Sequence, residues 1–375
     1  MQEWTNKWNS FNSYKFLLWR QHLEACSREE YLPPVTVDID PSNRCMYNCK
    51  HCNAYDMIEN SQKDMSEDHM IKLVDFLAEW RDSHELKTPN SACVAGGGES
   101  LLNKGIISLY ERMHHHGMQI GVITSGFPMT DEHIEVLART ARWVGFSMDA
   151  GTTETYMGVK GIKNREVFGD ILDKIRKLVK RVNHYKDQGK SICDVSFKYL
   201  LMPENAHEVY MAAVLARSLG VRDFHLRPAG WDNITKTKGT TISFDSVMES
   251  VNKQIEEARK LEIENQFYIY GVRHKFNPDF SRKVTFKRCW AIPMIPTFGA
   301  DGNVHTCFDM RGREDLILCK HSPDPAEILK VWNTDFHRDM VRNINVEKCP
   351  RCTWIVANEI VENVILKDGM CVNFP

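Results

Sequence analysis

Six short apolar runs, each followed by a longer segment with helical spacing, set the strongest constraint on how this chain folds. The runs are VTVDID (35–40), ACVA (92–95), QIGVIT (119–124), WVGFSM (143–148), DVSFKYLL (194–201) and RDFHLR (222–227). Helix-period segments lie near 66–82, 104–117, 131–141, 167–187 and 206–219, and 244–262 follows the sixth run. Such alternation predicts a parallel sheet with right-handed crossovers, hence an α/β fold. Six units are two short of a closed barrel, so the expected form is a partial (β/α)6 TIM-like barrel. In such folds chemistry gathers at the carboxyl ends of the strands.

The organisation around the alternation divides the chain of 375 residues. A helix over 10–28, with Phe11, Tyr14 and Leu18 on one face, stops before Pro33 and Pro34 and makes residues 1–34 a helical lead-in. The barrel is expected over 35–240, and a connecting helix and strand over 241–284. After about residue 285 the alternation fails; a GADGN turn (299–303) and four clustered cysteines mark 285–375 as a small C-terminal domain.

A formal charge of −2 lacks the basic footprint of a nucleic-acid binder. No run approaches the roughly 18 apolar residues of a membrane span, and no signal peptide opens the chain, so the expected location is cytoplasmic. There, twelve cysteines are not a disulfide framework; metal binding or catalysis is the better account. Cys26, Cys93, Cys193, Cys319 and Cys371 stand alone. Cys93 and Cys193 fall in strand-like runs and read as buried core thiols.

The other seven form two sets. Cys45, Cys49 and Cys52 sit in the loop NRCMYNCKHCNAYD (43–56) after the first strand, where one short loop can wrap a metal centre with three thiolates. A closed zinc site wants four protein ligands, which His51 or Asp56 could complete; three ligands alone suit an iron–sulfur cluster with one open iron. The distal set is Cys289, Cys307, Cys349 and Cys352, enough for one closed site holding either zinc or iron–sulfur. GGGES (96–100), TSGF (124–127) and SMDAG (147–151) end the next three strands, on the same rim as the first cysteine loop.

Cys-x3-Cys-x2-Cys after a first strand, Gly97-Gly98-Glu99 after the second and Ser147-Met148-Asp149 after the fourth resemble the radical S-adenosylmethionine (SAM) superfamily. The resemblance covers nearly the whole chain; Ser100 stands where proline is usual. It implies that Cys45, Cys49 and Cys52 hold a 4Fe-4S cluster whose open iron takes the amino and carboxylate groups of SAM. It also implies that Gly96, Gly97 and Gly98 let the backbone approach the methionine amino group, with Glu99 or its adjacent backbone accepting from that amine. His51 would lie near the adenine, and Ser125 and Ser147 near the ribose or carboxylate. A cation should meet the methionine carboxylate: Lys160, Lys163 and Arg165 are the candidates and Arg165 the choice.

Cys289, Gly302 and Cys307 resemble the opening of the SPASM auxiliary-cluster domain, shortened as in its Twitch variant. That implies one auxiliary 4Fe-4S cluster on the four distal thiols. The four-cysteine pattern is most similar to the deoxy-scyllo-inosamine dehydrogenases of aminoglycoside biosynthesis, with Asp309 binding or deprotonating the substrate hydroxyl. Lys198 and Arg227, charges at strand positions, are candidates for holding an anionic or polyhydroxyl substrate.

The leading expectation is therefore a dehydrogenase-like radical SAM oxidoreductase acting on a small-molecule substrate. It would oxidise a hydroxyl-bearing carbon of a sugar, cyclitol or nucleotide sugar, pass the electron to the auxiliary cluster and be reduced by a flavodoxin or ferredoxin. Only 44 residues precede Cys45, fewer than an added peptide-recognition domain needs. The alternatives are a maturase that cross-links or epimerises a ribosomally made peptide, and a zinc-binding scaffold.

Overall fold

The computed structural model describes residues 13–81, 88–163, 166–232, 237–238, 243–271, 286–349 and 352–366. All six expected strands form: β1 (Val37–Asp40), β2 (Ser91–Val94), β3 (Gln119–Thr124), β4 (Ala141–Ser147), β5 (Asp194–Leu201) and β6 (Asp223–Pro228). Each pairs in parallel with the next. Helix α1 (Arg20–Ser27) precedes them, and α2 (Tyr55–Ser61) with α3 (Glu67–Glu79) joins β1 to β2. The later crossovers are α4 (Ile106–His115), α5 (Asp131–Thr140), α6 (Thr153–Lys160) with α7 (Phe168–Asp187), and α8 (Val209–Ser218).

Two strands lie apart as a small antiparallel ribbon, β7 (Trp231–Asp232) and β8 (Thr237–Lys238). Helix α9 (Met248–Arg259) then leads to β9 (Tyr268–Gly271), which adds in parallel beside β6. At the other edge, β10 (Thr297–Gly299) pairs in parallel with β1, and β11 (Asn303–His305) and β12 (Ile317–Lys320) continue antiparallel. The result is an open ten-stranded sheet, ordered β12-β11-β10-β1-β2-β3-β4-β5-β6-β9, a partial barrel that does not close. Helices α10 (Asp335–Arg342) and α11 (Ile355–Ile360) follow. The expected first helix departs from the pattern: residues Ser13–Trp19 are 3-10, and α-helix begins only at Arg20. The bulky run SYKFLLW has no capping side chain at the α1 start and several aromatics that pack poorly into a helix turn.

Elsewhere local signals and structure agree. Ser66 caps α3 by accepting from the His69 amide, and Met70, Leu73, Val74 and Leu77 bury one stripe of it. In α7, Ile171, Ile175, Leu178 and Val182 do the same. Across the sheet, Phe146, Phe197 and Phe224 are fully buried and in register, each worth about 1.5–3 kcal/mol of burial. One residue on, the same register turns Ser147, Lys198, His225 and Tyr270 to the opposite face, because strand side chains alternate. That face is the lumen of the partial barrel.

The strands after β9 are locked to the barrel by polar joints. Arg311 forms a bidentate ion pair with Asp40. His69 on α3 meets His321 at 2.9 Å, and His321 Nε2 lies 2.9 Å from the Gly299 carbonyl. A carbonyl only accepts, so His321 carries its hydrogen on Nε2 and its Nδ1 accepts from His69, which leaves the His321 ring neutral. Burial pushes the His321 pKa from 6.5 down to about 4. The unfolded chain therefore binds the proton first, so the stabilisation is complete above pH 6.5 and is lost as pH falls from 6.5 to about 4. The loss attributable to this ring is about 3 kcal/mol. Urea denaturation between those limits should give a clearly flatter pH slope for His321→Gln than for the parent; equal slopes would disprove the assignment.

Candidate active site

The first cysteine loop leaves β1 and is gripped from two sides. The Gly98 amide donates to the Ser42 carbonyl and the Glu99 amide to the Arg44 carbonyl, both at 2.8 Å. A Cβ on Gly98 would lie 2.2 Å from the Arg44 carbonyl oxygen, and one on Gly97 2.3 Å from Asn43 Oδ1. The glycines are thus required first for the close approach of the cysteine loop itself. On the far side the Asn48 amide donates to the Lys160 carbonyl at 3.0 Å, and Gly161, at φ +65°, approaches the Asn48 carbonyl where a Cβ would sit 2.4 Å away.

Cys45, Cys49 and Cys52 are half-buried there, near enough that Cys52 disfavours ionisation of Cys45, and Cys45 and Cys52 that of Cys49. Burial pushes the Cys45 thiol up to about 11 and Cys49 to about 12. Lys160 draws both values down, but burial outweighs it; a bound metal centre would make thiolates of them. The loop offers an all-thiol donor set of three, which fits an iron–sulfur cluster with one open iron.

Glu99 is buried and saturated. It accepts from Thr124 Oγ1 (2.6 Å), the Ser125 amide (2.7 Å), Ser125 Oγ (2.6 Å) and the Leu101 amide (3.3 Å). Its carboxylate ties the glycine turn to the end of β3, and the Ser125 hydroxyl spends its hydrogen on that tie. Asp149, fully buried at φ 58°, accepts from Lys160 Nζ at 2.5 Å, the Leu200 amide at 2.6 Å and His51 Nε2 at 3.2 Å. Burial alone would raise the Asp149 pKa, but Lys160 and His51 outweigh it and hold the carboxyl well below the usual range. His51 is anchored by this contact, and its Nδ1 is left buried with no hydrogen-bond partner among the described residues.

Of the three cation candidates, Lys160 is paired with Asp149 and Lys163 is exposed. Arg165 lies outside the described residues, as do the Asp56 side chain and Cys371. Ser147 stands half-buried at the end of β4, in register beside Lys198.

On the lumen face Lys198 Nζ lies 3.3 Å from His225 Nδ1, 3.9 Å from Asp223 Oδ1 and 5.7 Å from the centre of the Trp143 ring. Burial lowers the Lys198 pKa to about 8. Gly121 and Gly145 leave the space these groups occupy: a Cβ would meet the Trp143 ring at 2.3 Å and Lys198 Cε at 2.9 Å. Arg227, two residues beyond His225, shares this face at the rim. Cys93 is corrected here: it is half-buried opposite Asp38 on the lumen side, and Ala92 and Val94 take the core positions. Cys193 is buried as expected.

Cys289, Cys307, Cys349 and Cys352 also come together. Burial raises the thiol pKa values of Cys289, Cys307 and Cys352, and mutual proximity raises them further. Asn358 organises the group, accepting from the Trp290 and Ala291 amides at 2.7 and 2.8 Å while its amide nitrogen approaches Cys352 Sγ at 3.7 Å. Asp309 is buried beside them and accepts from Thr353 Oγ1 at 2.8 Å. Four thiols without spare ligands fit a closed metal centre.

The open parallel barrel thus carries a three-thiol loop at its carboxyl rim. The chain carries a radical SAM domain: residues 39–216 match the model of the Radical SAM superfamily. That family binds a 4Fe-4S cluster and SAM. Among solved structures, Streptococcus suis SuiB is similar with a TM-score of 0.63 and 14% identity, over 93% of this chain and 78% of that one. SuiB bound to precursor peptide SuiA gives 0.61 and 14%, covering 93% and 76%. Native anSMEcpe with bound AdoMet and Cp18Cys peptide gives 0.55 and 14%, covering 87% and 88%. At these identities the likeness is one of fold. No curated protein matches. No helix among the described residues is long and apolar enough to cross a membrane.

Proposed function

We propose that this chain is a radical SAM enzyme that modifies a peptide, the maturase reading rather than oxidation of a sugar or cyclitol. The observation that carries it is the fold shared over 87–93% of the chain with SuiB and anSMEcpe, both solved with peptides bound. In this reading Cys45, Cys49 and Cys52 hold the 4Fe-4S cluster. Gly96–Glu99, His51, Ser125, Ser147 and Arg165 surround SAM, with Glu99 and Asp149 positioning the turn and the His51 ring. The bound cluster and SAM supply a 5'-deoxyadenosyl radical that removes hydrogen from substrate.

The four distal thiols hold an auxiliary 4Fe-4S cluster in a domain of the SPASM/Twitch kind, beside which Asp309 faces the substrate. Lys198 and Arg227 offer positive charge to a peptide carboxylate, with Asp223 moderating Lys198. A cytoplasmic flavodoxin or ferredoxin is the matching reductant class. The test is anaerobic turnover of the reconstituted, reduced protein with SAM, following 5'-deoxyadenosine across ribosomal precursor peptides, sugar nucleotides and aminocyclitols. A rise with a peptide that changes mass is expected; a rise confined to sugars or cyclitols would return the reading to a dehydrogenase.

A further inference from the structure

The lumen face carries a group that the SAM and cluster residues leave unused. Along one register line lie Thr297 on β10, Asp38 on β1, Cys93 on β2, Gly121 on β3 and Trp143 on β4. Asp38 and Cys93 are half-buried, within hydrogen-bonding reach of each other. Thr297 Oγ1, on a residue with no exposure, has no hydrogen-bond partner among the described residues. Three carboxylates meet near this line, and their surroundings differ. Asp40 is neutralised by its bidentate pair with Arg311, and Asp309 is held by Thr353. Asp38 lies in the row between the Cys93 thiol and the Thr297 hydroxyl, with the Arg311 guanidinium near enough to act on its charge.

We infer that Asp38 is a proton acceptor for the substrate; this rests on the radical chemistry proposed above. Once a hydrogen atom has left substrate carbon, forming a new bond from that carbon to an N–H, O–H or S–H group, or a carbonyl from a hydroxyl, requires one more electron and one proton to leave. The heteroatom–hydrogen bond breaks and an O–H bond forms on Asp38. The electron passes to a one-electron acceptor of the iron–sulfur class, and Asp38 then returns its proton to water. The electrostatics suit the task, because a base works best with a pKa near the working pH. Burial raises the Asp38 pKa, Arg311 draws it back, and Asp40 and Asp309 add to the rise, leaving it at about 7. Cys93 faces it from β2, and Lys198 faces Cys93 from across the lumen.

The first readout needs neither substrate nor cluster turnover. On the full chain, modification of Cys93 by methyl methanethiosulfonate is followed peptide by peptide across the neutral pH range. The thiolate reacts, and an ionised Asp38 suppresses it, so the rise of rate with pH should stall near 7 in the parent. Asp38→Asn should remove that inflection and Asp38→Glu should keep it. The second readout is modified product formed per 5'-deoxyadenosine with a precursor peptide, expected to fall at least about tenfold in Asp38→Asn and to recover in Asp38→Glu. An unchanged Cys93 profile in Asp38→Asn, or a product ratio that does not move, overturns the assignment. If no peptide turns over, the function proposal fails while the thiol profile still decides whether Asp38 titrates on the lumen.

Discussion

Cys49→Ala is expected to lower 5'-deoxyadenosine formation by at least about 10³-fold, the scale seen when a group on which all the chemistry depends is removed. Iron and sulfide per chain should fall by one cluster's complement and no more, because the four distal thiols and their Asn358 brace lie elsewhere in the chain. Among the described residues, two polar side chains beside the loop are already engaged, His51 through Nε2 with Asp149 and Glu99 with Thr124 and Ser125. Burial holds the remaining Cys45 thiol at about 11, so the two thiols left would have to ionise without the full charge of a three-point metal centre. Electron paramagnetic resonance of the reduced parent and variant, with iron analysis, checks the result. A parent protein that purifies anaerobically with zinc at both cysteine sets would instead support the scaffold reading.

How much of this was legible before the fold was seen depends on whether the signal was local. The six strands were legible because each apolar run is bounded by turns and followed by a helix-period segment, and the cysteine loops because ligand spacing is written in sequence. Strand β10, beside β1, was not legible: it is three residues, Thr297–Gly299, too short to display alternation. Cys93 was misread for a related reason. ACVA looks uniformly apolar, as buried parallel strands do, so the run cannot say which residues face the lumen. Its pairing with Asp38 decides that, and pairing is not local. The Lys160–Asp149 pair was equally hidden, since the backbone turn at Asp149 and helix α6 bring the two together. Thr124, by contrast, could have been found: a hydroxyl ending a strand beside a glutamate turn is a ready donor to a buried carboxylate.

Lys160→Ala tests the least conspicuous part of the site, with an expected destabilisation of about 3–5 kcal/mol, the cost of leaving one half of a buried ion pair unpaired. Lys160 is 2% exposed and Asp149 0%. Without the ammonium, Asp149 keeps His51 and the Leu200 amide but loses its closest charge, at 2.5 Å. The effect should exceed stability alone, because the same residue's carbonyl accepts from Asn48 and its neighbour Gly161 packs on the Asn48 carbonyl. Loosening the end of α6 therefore loosens the cysteine loop, and SAM binding should weaken in parallel with the fall in denaturation midpoint. Changing both partners, as Lys160→Met with Asp149→Asn, should cost less than the two single changes added, since no charge is then stranded. A single variant within about 1 kcal/mol of the parent, or additive costs in the double, would mean that the pair contributes no coupling and that the loop is held by its backbone bonds alone.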